Sequence, residues 1–152
     1  EENARLMAGV YASRGLSALV FRGANTGLDE LTTTDANQVW IVSGGSVTPT
    51  EFDARESLGM ASSSIEDLAG GEAAENAAVA RDVLSGGGAD AVRDAVALNV
   101  GAGILAWEGL ENPVTQADFE ERMRGAVERA LGTLADGSGA RLIERWVAAS
   151  NA

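Results

Sequence analysis

The stretch Ser17-Ala18-Leu19-Val20-Phe21, followed at once by Arg22-Gly23 and the loop Ala24-Asn25-Thr26-Gly27, decides the fold class. It is a short, nearly continuous apolar run. Such a run suits a strand covered on both faces, as in a parallel sheet with helices on either side. Upstream, residues 3–14 place Leu6, Met7, Val10 and Tyr11 on one helical face. Gly15 follows, where a helix C-terminus favours glycine. A helix, a glycine turn and a buried strand make half of an α/β unit.

Downstream of that strand, residues 38–42 read as a second strand, Gly44-Gly45 as a tight turn and residues 46–52 as a third strand, which together suggest a hairpin. Pro49 cannot donate to a ladder, so the third strand is confined to an edge. The first strand is then left without parallel neighbours. Either the sheet is small, or its other strands belong to a part of the protein outside this sequence.

From Gly70 onward the pattern turns helical. Residues 71–84 are rich in Ala and Glu and are stopped by Gly86-Gly87-Gly88. Residues 90–109 are apolar nearly all round, which predicts a central, buried helix. Residues 115–135 form the next helix, opened by Thr115 with Asp118 three residues on, the spacing of a capping box. After the turn Asp136-Gly137-Ser138-Gly139, a last helix is expected to carry Leu142, Ile143, Trp146 and Val147 inward. Neither an internal repeat nor a low-complexity linker interrupts residues 1–152. The fold class is α/β, with a sheet flanked by helices and a helical C-terminal half.

Composition narrows the function. Eleven basic against 23 acidic residues give a net charge of −12 over 152 residues. Phosphate backbones need clustered cations, so a nucleic-acid partner is excluded, as is docking on an anionic membrane. There is no cysteine and no histidine. Disulfides, thiolate nucleophiles, Cys/His zinc sites and Ser-His-Asp triads are excluded with them. The first residues, Glu1-Glu2-Asn3-Ala4-Arg5, show no signal-peptide pattern. No apolar run is long enough to span a bilayer, and a cytoplasmic location is expected.

The best candidate for chemistry is Gly27-Leu28-Asp29-Glu30. Two adjacent carboxylates follow a buried strand and a glycine-containing loop, at the strand end where open α/β sheets bind ligands. Mg²⁺ favours one or two carboxylates and fills its shell with water and phosphate oxygens. The ordinary reading of such a pair is a solvated loop. A second candidate, Gly70-Gly71-Glu72-Ala73-Ala74-Glu75-Asn76-Ala77, has glycines before a helix start that can open an anion site. Its acids oppose a phosphate and suit the helix dipole, which favours a structural role. Thr32-Thr33-Thr34-Asp35 offers hydroxyls to a phosphate or forms a β-prone loop. Asn99 reaches a ligand or satisfies a buried backbone group. Arg22 contacts an anion or a nearby acid. Trp40, Trp107 and Trp146 form no stacking motif, so packing is their default role.

Taken in order, four blocks resemble one family. They are Ala18-Leu19-Val20-Phe21-Arg22-Gly23, Gly27-Leu28-Asp29-Glu30-Leu31-Thr32, Leu68-Ala69-Gly70-Gly71-Glu72-Ala73-Ala74-Glu75-Asn76-Ala77 and Ala95-Val96-Ala97-Leu98-Asn99. Over residues 3–147 they look like successive blocks of the anthranilate phosphoribosyltransferases. The resemblance implies a phosphoribosyltransferase/nucleoside-phosphorylase-like α/β domain. Residues 1–152 correspond to its C-terminal portion. The family's N-terminal helical domain, the first part of its α/β domain, its glycine-rich phosphoribosyl-pyrophosphate loop and its anthranilate-binding residues lie upstream of where this sequence begins.

The implied activity is Mg²⁺-dependent transfer of phosphoribose from 5-phosphoribosyl 1-pyrophosphate to anthranilate, releasing pyrophosphate, in tryptophan biosynthesis. The family's metal-binding acids map onto Asp29 and Glu30, and a homodimer of the full-length enzyme is implied. Three departures stand out. Arg22 replaces a usual histidine, Ala24-Asn25-Thr26 looks like a small insertion, and Glu72 replaces a usual aspartate. The loop aims the carboxylates, so the first two bear on the geometry of the site. Two other readings remain: a non-catalytic fragment or half of a split enzyme acting with a partner, and a nucleoside phosphorylase of the related fold.

Overall fold

The computed structural model describes residues 1–151. Its elements are α1 (Glu2–Ser13), β1 (Ala18–Gly23), β2 (Asn37–Ser43), β3 (Ser46–Phe52), α2 (Ala54–Leu58), a 3-10 turn (Glu66–Leu68), α3 (Ala73–Leu84), α4 (Asp90–Glu108), α5 (Phe119–Ala135) and α6 (Ser138–Ser150). The α/β class, the flanked sheet and the helical C-terminal half are as the sequence indicates. Among the described residues no helix is long and apolar enough to cross a membrane.

The three strands form one sheet in the order β1-β2-β3. Gly44 and Gly45 both take positive φ in the β2–β3 turn, and Pro49 lies on the edge strand opposite Trp40. The expected parallel setting of β1 is corrected: β1 pairs with β2 antiparallel, with Val20 opposite Trp40. Parallel neighbours need a crossover element. Residues 24–36, between β1 and β2, contain only turns and bends and bring the chain straight back.

Coverage on both faces, which the apolar run also signalled, is present. Val39, Ile41 and Phe52 point into a core with Ala97, Leu98, Ala102 and Leu105 of α4 and Met123 and Val127 of α5, with Leu19 and Phe21 packed against it. The alternate residues Trp40 and Val42, with Val20 and Val47, meet Ala4, Ala8, Tyr11 and Ala12 of α1 on the other face. Period-two alternation thus divides the sheet between two helical layers. At the heart of the larger core α4 and α5 approach closely. A Cβ on Gly101 would lie 2.7 Å from Val127 Cγ2, so glycine there permits the contact.

Several local expectations need correction. Of the four large apolar residues of α1 only Tyr11 packs on the sheet, beside Ala4, Ala8 and Ala12; Leu6, Met7 and Val10 are exposed. The central helix α4 is buried along one face only, and Val100 and Trp107 are exposed. The helix α5 begins at Phe119. The Thr115–Asp118 pair closes the turn before it, through Thr115 N–H to Asp118 Oδ1 at 2.9 Å and Asp118 N–H to Thr115 Oγ1 at 3.3 Å.

The inward set assigned to α6 is overturned. Leu142 is 56% and Trp146 69% exposed, Val147 is exposed, and only Ile143 is half-buried. Gly139 lies on the side of α6 that meets the end of α3, where an added Cβ would be 3.0 Å from Leu84 Cδ2. The helix α2 and the 3-10 turn carry no strong periodicity. Asp53 caps α2 by accepting from Arg55 N–H at 2.9 Å, and Gly59 ends it in the left-handed region.

Candidate functional site

The β1–β2 connection carries the two candidate acids. Its floor is Asn37, fully buried at the start of β2. The Asn37 amide donates to Thr32 O at 3.1 Å, Asp35 O at 3.3 Å and Phe52 O at 3.3 Å, and accepts from Thr32 N–H at 3.4 Å. Backbone bonds from Gly23 N–H to Leu28 O and from Ala24 N–H to Ala36 O, each 2.8 Å, close the turn onto the sheet.

The threonine hydroxyls bond neighbouring protein groups. Thr32 and Thr34 hydroxyls bond each other at 2.7 Å, and Thr33 Oγ1 donates to Ser63 Oγ at 2.9 Å. The run forms a loop of bends, as one of its two readings has it. The block at Gly70 is also structural. Glu75 reaches back to accept from Glu72 N–H at 2.9 Å and fills the helix N-terminus, while Asn76 clasps Gly71 through its N–H and C=O, each at 2.8 Å. Asn99, on α4, satisfies backbone. It accepts from Leu31 N–H at 3.2 Å and donates to Leu31 O at 2.9 Å and to Ala95 O at 2.8 Å.

Asp35 lies on the inner side of the loop and is only 9% exposed. It accepts from Asn25 N–H at 2.6 Å, Thr26 N–H at 3.0 Å, Thr26 Oγ1 at 3.2 Å and Thr34 Oγ1 at 3.4 Å. Burial pushes its carboxyl up, but these donors together outweigh burial and hold it below the usual carboxylate range. A lowered folded pKa gives stability that is complete above the unfolded value and is lost as pH falls through the folded one. The urea midpoint should therefore fall on acidification below the ordinary aspartate range. Asp35→Asn should flatten that acid limb, and an unchanged limb in the variant would exclude this carboxylate as its source.

Asp29 and Glu30 follow this anchored turn and are both exposed. Among the described residues neither carboxylate takes part in a hydrogen bond or an ion pair. Asp29 borders a cleft of about 650 Å³ between α1 and β1, lined also by Met7, Tyr11, Phe21, Arg22 and Gly27. Arg22 forms no ion pair with an acid among the described residues. Its Nη1 donates to Gln38 Oε1 at 2.9 Å and to Ala24 O at 3.4 Å. No group of three or more acids, histidines or cysteines suited to a metal occurs among the described residues. Two free carboxylates do not make a closed cage. They do fit Mg²⁺, which keeps most of its shell for water and phosphate oxygens.

Sequence reasoning marked Asp29, Glu30, Arg22 and Asn99 but missed the anchoring role of Asp35 and the Gln38 partner of Arg22. An aspartate ending a threonine run signals a turn. Nothing in the linear sequence says which amides it will accept from.

Residues 1–140 match the family model described as "Glycosyl transferase family, a/b domain". The chain is similar to the anthranilate phosphoribosyltransferase of Arthrobacter sp. (strain FB24), 46% identical over 148 residues, which covers 97% of this chain and 40% of that protein. The crystal structure of anthranilate phosphoribosyltransferase from Thermus thermophilus superposes with a TM-score of 0.80 at 33% identity, covering 99% of this chain and 41% of that one. A variant of the Saccharomyces cerevisiae enzyme with Mg bound superposes with a TM-score of 0.70 over 94% of this chain and 38% of that one. Its 22% identity makes this a likeness of fold. The chain spans about two fifths of the length of the curated relatives it matches. A family model matched over nearly the whole chain, on an α/β fold with the same architecture, shows that this chain belongs to the glycosyl transferase family, in its α/β domain.

Proposed function

We propose that this chain supplies the metal-binding acids of an anthranilate phosphoribosyltransferase of tryptophan biosynthesis. The complete protein would transfer phosphoribose from 5-phosphoribosyl 1-pyrophosphate to the amine of anthranilate and release pyrophosphate. The observation that carries the reading is the pair Asp29 and Glu30, exposed and without protein partners on a loop held by buried side chains. Relatives of that name at 46% and 44% identity support the choice of substrate class.

Each group of the loop has a distinct task in this reading. Asp29 and Glu30 would hold Mg²⁺ through hard anionic oxygens. Bound there, the cation supplies positive charge to a pyrophosphate leaving group whose own charge grows as the bond to ribose C1 breaks. Asn99 keeps Leu31, and with it the end of the acid-bearing segment, fixed to α4. Arg22 lines the same cleft as Asp29. With its Nη1 turned to Gln38 and Ala24, the rest of its fork is available to an anion. Contacts to anthranilate and to the ribose phosphate are assigned to the remainder of the protein that the relatives' length implies.

The test is the intrinsic fluorescence of anthranilate in the presence of the complete protein. Its decay should require both phosphoribosyl pyrophosphate and Mg²⁺. Fluorescence that stays constant, with release of a free base from a nucleoside in phosphate buffer instead, would replace this reading by that of a nucleoside phosphorylase.

A further inference from the structure

We propose that Asp35 is a positioning residue for the candidate metal site, setting where Asp29 and Glu30 lie. This assignment rests on the metal reading of those two acids. The loop runs from β1 into a turn at residues 24–28, passes through Asp29 and Glu30, and returns over Leu31 to the threonine run. On the return side it is held from outside by Asn99, which takes both the N–H and the C=O of Leu31. On the outgoing side the turn is held by Asp35, from the far end of the same connection, and by Arg22 Nη1 on Ala24 O.

Asp35 Oδ2 receives two successive backbone N–H groups, of Asn25 and Thr26, in the manner of an anion in a backbone nest. Its Oδ1 receives the hydroxyls of Thr26 and Thr34. Thr26 Oγ1 in turn accepts from Leu28 N–H at 3.4 Å, the residue directly before the acids. A Cβ at Gly23 would lie 2.2 Å from Thr26 Oγ1 and 3.1 Å from Asp35 Oδ1, so the cluster also fills the space beneath the start of the turn.

Of the insertion-like residues Ala24-Asn25-Thr26, Asp35 thus ties down the last two. Bonds to a charged acceptor are roughly twice as strong as neutral ones. The free carboxylates therefore hang between two side-chain anchors, one at each end, and a bound cation would find its ligands already placed. Partners that orient metal ligands typically change affinity by about 10–100-fold when removed.

The test is a Mn²⁺ titration of the complete protein, read by paramagnetic broadening of the amide signals of residues 28–31. Asp29→Asn with Glu30→Gln should abolish the broadening. Asp35→Ala should weaken Mn²⁺ binding by about 10–100-fold. Asp35→Asn keeps one neutral acceptor oxygen for the two amides, so it should fall between Asp35→Ala and the parent chain, and it serves if Asp35→Ala fails to fold. Val127→Ala, in the α4–α5 core, should lower the unfolding temperature without changing the Mn²⁺ affinity.

Parent-like Mn²⁺ affinity in both Asp35 variants, with the acid pair still required, overturns the positioning role and leaves the metal reading standing. An Asp35 effect no larger than that of Val127→Ala at equal loss of stability overturns it as well. Broadening that ignores the acid pair overturns the metal reading and this inference together.

Discussion

Replacing Asp29 by Asn together with Glu30 by Gln, in the complete enzyme, should lower turnover by at least about a hundredfold, the scale on which removal of groups stabilising transition-state charge acts. The substitutions keep side-chain size and remove two negative charges, so a hard cation loses its anionic oxygens. The fold should not notice. Neither carboxylate holds the loop, which is fixed by Asp35, Asn37 and Asn99. The unfolding midpoint should therefore match the parent protein while kcat collapses, and raising Mg²⁺ should recover part of the loss. Near-normal turnover at ordinary Mg²⁺ would remove these two residues from the site.

The largest effect on stability is expected at Phe119. Its ring is buried at the first residue of α5 and meets Phe52, at the end of β3, edge to face with centroids 5.5 Å apart and planes at 81°. The pair ties the sheet to the helical half. Phe119→Ala should cost about 3–5 kcal/mol, from lost burial plus a cavity that rigid neighbours fill only in part. The aromatic geometry accounts for about 0.5–1.5 kcal/mol beyond burial, so Phe119→Leu should lose less but still measurably. Urea unfolding with an unchanged slope is the readout. A loss below about 1.5 kcal/mol for the alanine variant would mean that the site collapses and that the contact is not the main tie.

Much of this was legible in the linear sequence, and the reasons are local. Gly44-Gly45 and Pro49 state a hairpin and its edge, because positive φ and a missing N–H are properties of single residues. The glycines after Leu84 and the helical stretches from Ala73 to Ser150 follow from periodicity and breakers. Asn99 in an apolar helix had to meet a polar group, and it meets the backbone of Leu31. Asp29-Glu30 stood out because two charges beside a buried strand end are conspicuous whatever the fold does around them.

What the linear sequence did not settle depends on which surfaces meet. An apolar run announces coverage on both faces, but not whether its neighbour runs parallel or antiparallel, since side-chain burial is the same in either case. Leu142 and Trp146 have helical spacing, yet α6 meets α3 at Gly139 and leaves those two side chains exposed. On α1 the alanines pack on the sheet in place of Leu6 and Met7. In the linear sequence Asp35 is part of a loop, and only the folded turn brings the amides of Asn25 and Thr26 onto its carboxylate. The sequence by itself determined the longer elements and the edge and singled out the acid pair, because these rest on single-residue conformation and short-range periodicity. Tertiary structure alone decided strand direction, helix rotation and the anchoring of the acid loop, because each depends on a partner distant in the chain.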